Sequence, residues 1–189
     1  MQKKYLRLLI ASYSISTFSQ GILAPIYAFF VERIGGGILE TSFAVALFSI
    51  VTGVATILIY QTKSSRIYQR EFLCIGWFLW VMSVVMYFFV TNIYTLFLTE
   101  VLGALGSAIS NPAYDAEYSK QTMHDLSGGW AMNEGVSTIF YGIACLSGGV
   151  IASYFGFTAL LVSMTILASL SFFMILYYSL EEKSKNPCQ

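Results

Sequence analysis

Two acids and two amides stand in stretches of sequence that are otherwise apolar. Glu100 interrupts the uncharged residues from Ile93 to Tyr114, and Glu134 follows Asn133 just before another uncharged run. Ionisable groups among apolar residues are costly and mark functional sites by default. A carboxyl in low dielectric is also able to take up and carry a proton. Glu100 and Glu134 are therefore candidate proton-coupling groups. Each has an ordinary alternative: Glu100 pairs with a nearby hydroxyl or faces water near a boundary, and Glu134 marks the wet start of a helix, where a carboxylate suits the helix dipole.

The amides are Gln20 and Asn111. Gln20 ends a hydroxyl-rich stretch of Ser12, Ser14, Ser16, Thr17 and Ser19. At helical spacing Tyr13, Thr17 and Gln20 share a face, with Tyr27 two turns further on. Ser107, Ser110, Asn111 and Tyr114 form a second polar group. The candidate substrate-binding set is Tyr13, Gln20, Tyr27, Ser107, Asn111 and Tyr114. Small hydroxyls readily bond their own helix backbone. A lipid-facing amide is expensive, so Gln20 and Asn111 carry more weight.

Other chemistries find little support. Cys74, Cys145 and Cys188 are scattered, and the lone His124 lies in a polar loop, so no metal-ligand spacing exists and no cofactor is expected. The cysteines read as small buried hydrophobes. An intramembrane serine protease would need a glycine two residues before Ser147, where Cys145 stands. The chain reads as no enzyme. Ten Lys and Arg balance ten Asp and Glu, which excludes nucleic-acid binding through net charge.

These residues must be positioned by membrane helices. Of the 189 residues, 57% are hydrophobic and 11% charged. A soluble domain of this size has no interior large enough for so much apolar surface. A span needs about 20 apolar residues. Leu8–Val31 and Thr41–Thr62 are uncharged, and Phe72–Thr99 holds one span and the start of another, with a turn at Thr91-Asn92. Gly135–Leu180 is too long for one crossing and breaks at Ser153-Tyr154-Phe155-Gly156. The expectation is an all-α membrane protein of six transmembrane helices, one domain over 1–189, with a short cytoplasmic tail at 181–189. The first span is too long for a signal peptide and gives no convincing cleavage site.

Loop charges orient the spans. Lys3, Lys4, Arg7, Lys63, Arg66, Arg70, Lys120, Lys183 and Lys185 fall on one side, and Arg33 alone on the other. Both ends are thus expected in the cytoplasm, with the chain in the cell membrane. Pro25-Ile26-Tyr27 in span one and Pro112-Ala113-Tyr114 in span four match but run in opposite directions. An inverted three-plus-three repeat, with halves at about 1–91 and 92–180, would produce this. Proline tolerated near two helix ends is the alternative. The 15 Phe, 13 Tyr and 3 Trp mostly read as lipid-facing or interfacial, with Trp77 and Trp80 early in span three.

The phrase Gly148-Gly149-Val150-Ile151-Ala152-Ser153-Tyr154-Phe155-Gly156-Phe157 resembles the end of the fifth span and start of the sixth in the N-terminal half of a major facilitator superfamily transporter. Gly103-Ala104-Leu105-Gly106 followed by Pro112 is similar to that family's fourth helix, and Glu32-Arg33-Ile34-Gly35 to its first outer loop. The cytoplasmic loop motif keeps Arg66 and Arg70, but Gln61, Ser65 and Tyr68 replace its glycines and aspartate. Thr99 stands where the family has a span-four arginine, and Ala144-Cys145 where antiporters have Gly-Pro. The resemblance implies a central cavity lined by spans one and four, with Tyr13, Gln20, Glu100 and Asn111 in it. It also implies a secondary transporter of a small organic solute by alternating access.

Six helices supply half of the family's twelve-span cavity. A homodimer of half-size units would complete it. A non-transporting accessory protein and the N-terminal half of a larger transporter are the alternatives. A water or solute channel is the weakest reading, because Asn111-Pro112-Ala113 occurs only once. The expected partners are the lipid bilayer, a small-molecule substrate and a second copy.

Overall fold

A computed structural model describes residues 2–61 and 68–185. Every element among them is helical. In chain order they are α1 (Gln2–Leu23), a 3-10 turn (Ala24–Ile26), α2 (Tyr27–Arg33), α3 (Ile38–Tyr60), α4 (Gln69–Met86), a second 3-10 turn (Tyr87–Phe89), α5 (Ile93–Gln121) and α6 (Leu126–Lys185). Five helical stretches are long and apolar enough to cross a bilayer, with α1 and α2 counting as one.

The local chemistry explains the boundaries. Pro25 has no N–H to continue the ladder, and helix α1 tightens into the 3-10 turn there. Pro112 lies within the continuous α5, so the two Pro-x-Tyr phrases adopt different backbones. Helix α5 opens at the expected turn: Asn92 Oδ1 accepts from Thr95 N (3.0 Å), and Thr95 Oγ1 accepts from Asn92 N (3.3 Å). This reciprocal cap satisfies two orphan donors.

Helix α6 is two arms joined at Gly156, whose φ of 80° and ψ of 175° are non-helical. Only glycine adopts this backbone cheaply. Ser19 of α1 donates to the Met164 carbonyl at 2.9 Å. A Cβ on the nearby Gly21 would lie 2.8 Å from Ala144 Cβ. On one straight helix residues 144 and 164 would be about 30 Å apart. The chain therefore doubles back at Gly156, and α1 packs against both arms, 126–155 and 157–185. The helix also continues through residues 181–185, so part of the polar tail is helical.

The buried face of α1 runs through Leu9, Ser12, Ser16, Ser19 and Ile22, at helical spacing. Its hydroxyls divide between local and tertiary bonds. Ser12 donates to the Leu9 carbonyl (2.9 Å), whereas Ser171 donates to the Ser12 carbonyl (2.7 Å) and itself accepts from Trp77 Nε1 (2.8 Å). Two apolar clusters flank this polar layer, one around Ile22, Phe30, Leu160 and Met164, the other around Leu9, Leu73, Tyr114, Tyr118 and Tyr178.

Three contacts gather the chain ends. Lys4 pairs with Glu181 (3.2 Å), Arg70 pairs with Glu182 (3.1 Å), and Lys120 donates to Gln69 (2.7 Å). The start of α1, the start of α4 and the ends of α5 and α6 thus share one end of the bundle. Arg33, beside the Phe157 ring (5.4 Å), stands at the other. Helix α3 buries only Ala44, while Ile50, Val54 and Ile57 are exposed. So much outward apolar surface fits a lipid surround rather than water.

Candidate functional site

The strongest polar feature is built on three elements. Tyr27 opens α2, just past the Pro25 turn. Tyr87 opens the second 3-10 turn, and Glu100 lies on the buried face of α5. Tyr27 donates to Glu100 Oε1 at 2.5 Å and Tyr87 donates to the same oxygen at 2.6 Å. Oε2 has no hydrogen-bond partner among the described residues. Glu100 is only 8% exposed, yet it lines a cavity of about 290 Å³. Phe48, Trp80 and Tyr141 share its wall with Tyr27 and Tyr87. The Phe48 and Trp80 rings meet at 78°, 6.4 Å apart, and form a corner.

A second cavity of about 230 Å³ adjoins it and shares Gln20, Phe48, Trp80 and Tyr141. Here the lining is polar: Tyr13, Ser16, Thr17, Thr52, Ser107, Ser110 and Asn111. Gln20 and Asn111 are both exposed on this wall. Together the two cavities form one strip, with amides and hydroxyls at one end and the carboxylate among aromatics at the other.

Five sequence candidates meet here, namely Tyr13, Gln20, Tyr27, Ser107 and Asn111, and Glu100 joins them. Tyr114 does not reach the cavity. It is buried behind Tyr13, stacked at 4.6 Å, and donates to Asn133 Oδ1 at 2.8 Å. Its long side chain completes the polar core instead of a lining. Glu134 is exposed and lines neither cavity. It lies in electrostatic range of Tyr13 and Asp115. The start of α6 at Leu126 carries it two turns into its helix. Arg70 holds Glu182 across the bundle, and Arg66 lies outside the described residues.

Sequence reasoning missed Tyr87, Trp80, Phe48 and Tyr141, because aromatics in spans read first as lipid-facing. Trp77 and Trp80 correct that reading. Trp77 is buried and bonded to Ser171, and Trp80 lines both cavities. An aromatic one or two turns from a polar group on a neighbouring span was the available signal. Cys74 and Cys145 are free and half-buried. No group of three or more His, Cys, Asp or Glu among the described residues is placed to hold a metal ion.

Apolar helices long enough to span a bilayer, packed around an open polar strip, define an integral membrane protein of the helical-bundle class. The sequence model of the Major Facilitator Superfamily matches residues 9–189. The chain belongs to that superfamily, whose members are transporters and not enzymes. No curated protein matches the chain.

Proposed function

We propose that this protein is a secondary transporter of a small organic solute, working by alternating access. The observation that carries this reading is the polar strip itself. Gln20, Glu100 and Asn111, on two different helices, face one open surface in a chain of transporter family. Polar groups at membrane depth are costly unless they meet water, a hydrogen-bonding partner or a ligand. The strip is open rather than enclosed, and a second copy facing it across a twofold axis along the membrane normal would supply the missing wall.

In this reading α6 contributes two crossings, which makes six spans in one domain. What supports an inverted repeat of two three-helix halves is the Pro-x-Tyr match in the sequence alone, since the two phrases differ in backbone. The charge asymmetry of the loops supports cytoplasmic ends in the cell membrane. Glu100 is the proton-coupling carboxylate, being the one acid among the described residues that lines either cavity.

The test is accessibility from both sides. In a background with Cys74, Cys145 and Cys188 changed to Ser, Gln20→Cys and Asn111→Cys are labelled with a membrane-impermeant maleimide in sealed vesicles. Alternating access predicts labelling of each from inside and from outside, with no rise in osmotic water permeability. Labelling from one side only would refute the proposal. Labelling from both sides with fast water flux would indicate a channel.

A further inference from the structure

We propose that the site takes an organic cation, its charged head against Glu100 Oε2 and its apolar body among Tyr27, Tyr87, Phe48, Trp80 and Tyr141. This rests on the transporter reading and names its substrate class. Among the described residues, the cavity around Glu100 is lined by one carboxylate and no Lys or Arg, and the adjoining cavity by no charged side chain. A lone carboxylate here is neutral only while it carries its proton, and in the ionised form a cationic ligand would supply the counter-charge that the lining lacks. Both tyrosyl hydroxyls bond Oε1, so Oε2 is left for the ligand. Five of the twelve lining residues are aromatic. Aromatic faces attract cations, above all weakly hydrated ones such as quaternary ammonium groups. The other acids near the strip, Asp115 and Glu134, lie in electrostatic range of Tyr13 and bias the approach in the same sense. An anionic solute would meet this carboxylate with no cation to offset it. A neutral sugar-like solute would waste the aromatic walls.

The experiment uses three probes of like size on the full chain in nanodiscs. These are benzyltrimethylammonium, its uncharged carbon isostere neopentylbenzene, and phenylacetate. Saturable binding of the cation is expected, with at least about tenfold weakening in Glu100→Gln and about threefold or more in Trp80→Leu. Neither other probe should compete. Both variants are first checked for a monodisperse, helical protein. Trp80→Leu keeps the test decisive if Glu100→Gln does not fold. Competition by neopentylbenzene as strong as by the cation would overturn the proposal, as would cation binding unchanged in both variants. Binding of phenylacetate or neopentylbenzene alone, lost in Asn111→Ala, would overturn the cation assignment and leave the transporter reading standing. If none of the three binds, the cation assignment falls, and the labelling experiment above judges the transporter reading separately.

Discussion

A carboxylate that holds two tyrosyl hydroxyls on one oxygen can be tested by deletion. Removing an acceptor strands its donors, and each unsatisfied group costs about 1–3 kcal/mol. Glu100→Leu should therefore lower the melting temperature, because Tyr27 and Tyr87 lose their partner. Adding Tyr27→Phe and Tyr87→Phe in the same background should restore most of the loss, since no polar group is then left unpaired. Thermal denaturation in nanodiscs, followed by size-exclusion chromatography, checks both outcomes. An unchanged melting point in Glu100→Leu would show that these bonds contribute nothing. Glu100 was legible in the sequence because a charge in an apolar run is conspicuous. Its partners were not. Tyr87 is 13 positions away and Tyr27 is 73, and nothing local says that their hydroxyls converge. Tyr114 is the converse case, a residue of fitting type whose side chain lies one layer behind the cavity wall.

At the scale of the elements, two glycines set the geometry and a third gives the contrasting prediction. Gly76 of α4 lies against α5 so closely that a Cβ would stand 2.6 Å from Ser110 N. Gly76→Val must push the two helices apart and should cost about 1–3 kcal/mol. Gly156→Ala should cost about as much through backbone strain at the reversal between the α6 arms. Gly53 on the outward side of α3 has nothing within 4 Å. Gly53→Ala should be neutral or stabilise by up to about 1 kcal/mol, because it removes a flexible residue from a helix interior. Thermal melts of the three variants side by side provide the check. Helix existence and the Asn92 cap could be read from sequence, being set by residues three or four apart. The doubling back at Gly156 could be placed to within a few residues, because an apolar run too long for one crossing must turn.

On the scale of the whole molecule, Arg70 and Glu182 tie the start of α4 to the end of α6, with each side chain 15% exposed. Breaking so shielded a pair leaves a charge without its partner. Arg70→Ala should destabilise, and the swapped pair Arg70→Glu with Glu182→Arg should recover more than half of the loss in the same melts. Arg70 looked like part of a loop motif, and its partner lies 112 positions further along the chain. Assembly is tested separately. Native mass spectrometry with lipids retained should show twice the 21.0 kDa chain mass, as the proposed homodimer requires. A strict monomer across mild detergents and nanodiscs would sink the homodimer.

The sequence by itself determined the solvent of this protein, the helical class and the residues that are out of place in lipid. Those properties follow from composition and from spacings of one or two turns, where physics is local. Only the tertiary structure decided which polar residues face the strip, which aromatics surround Glu100, and which hydroxyls turn inward to hold the core. Those facts depend on how each helix is rotated about its axis. That rotation is set by packing against neighbours distant in the chain, in a medium where apolar side chains are welcome on either face.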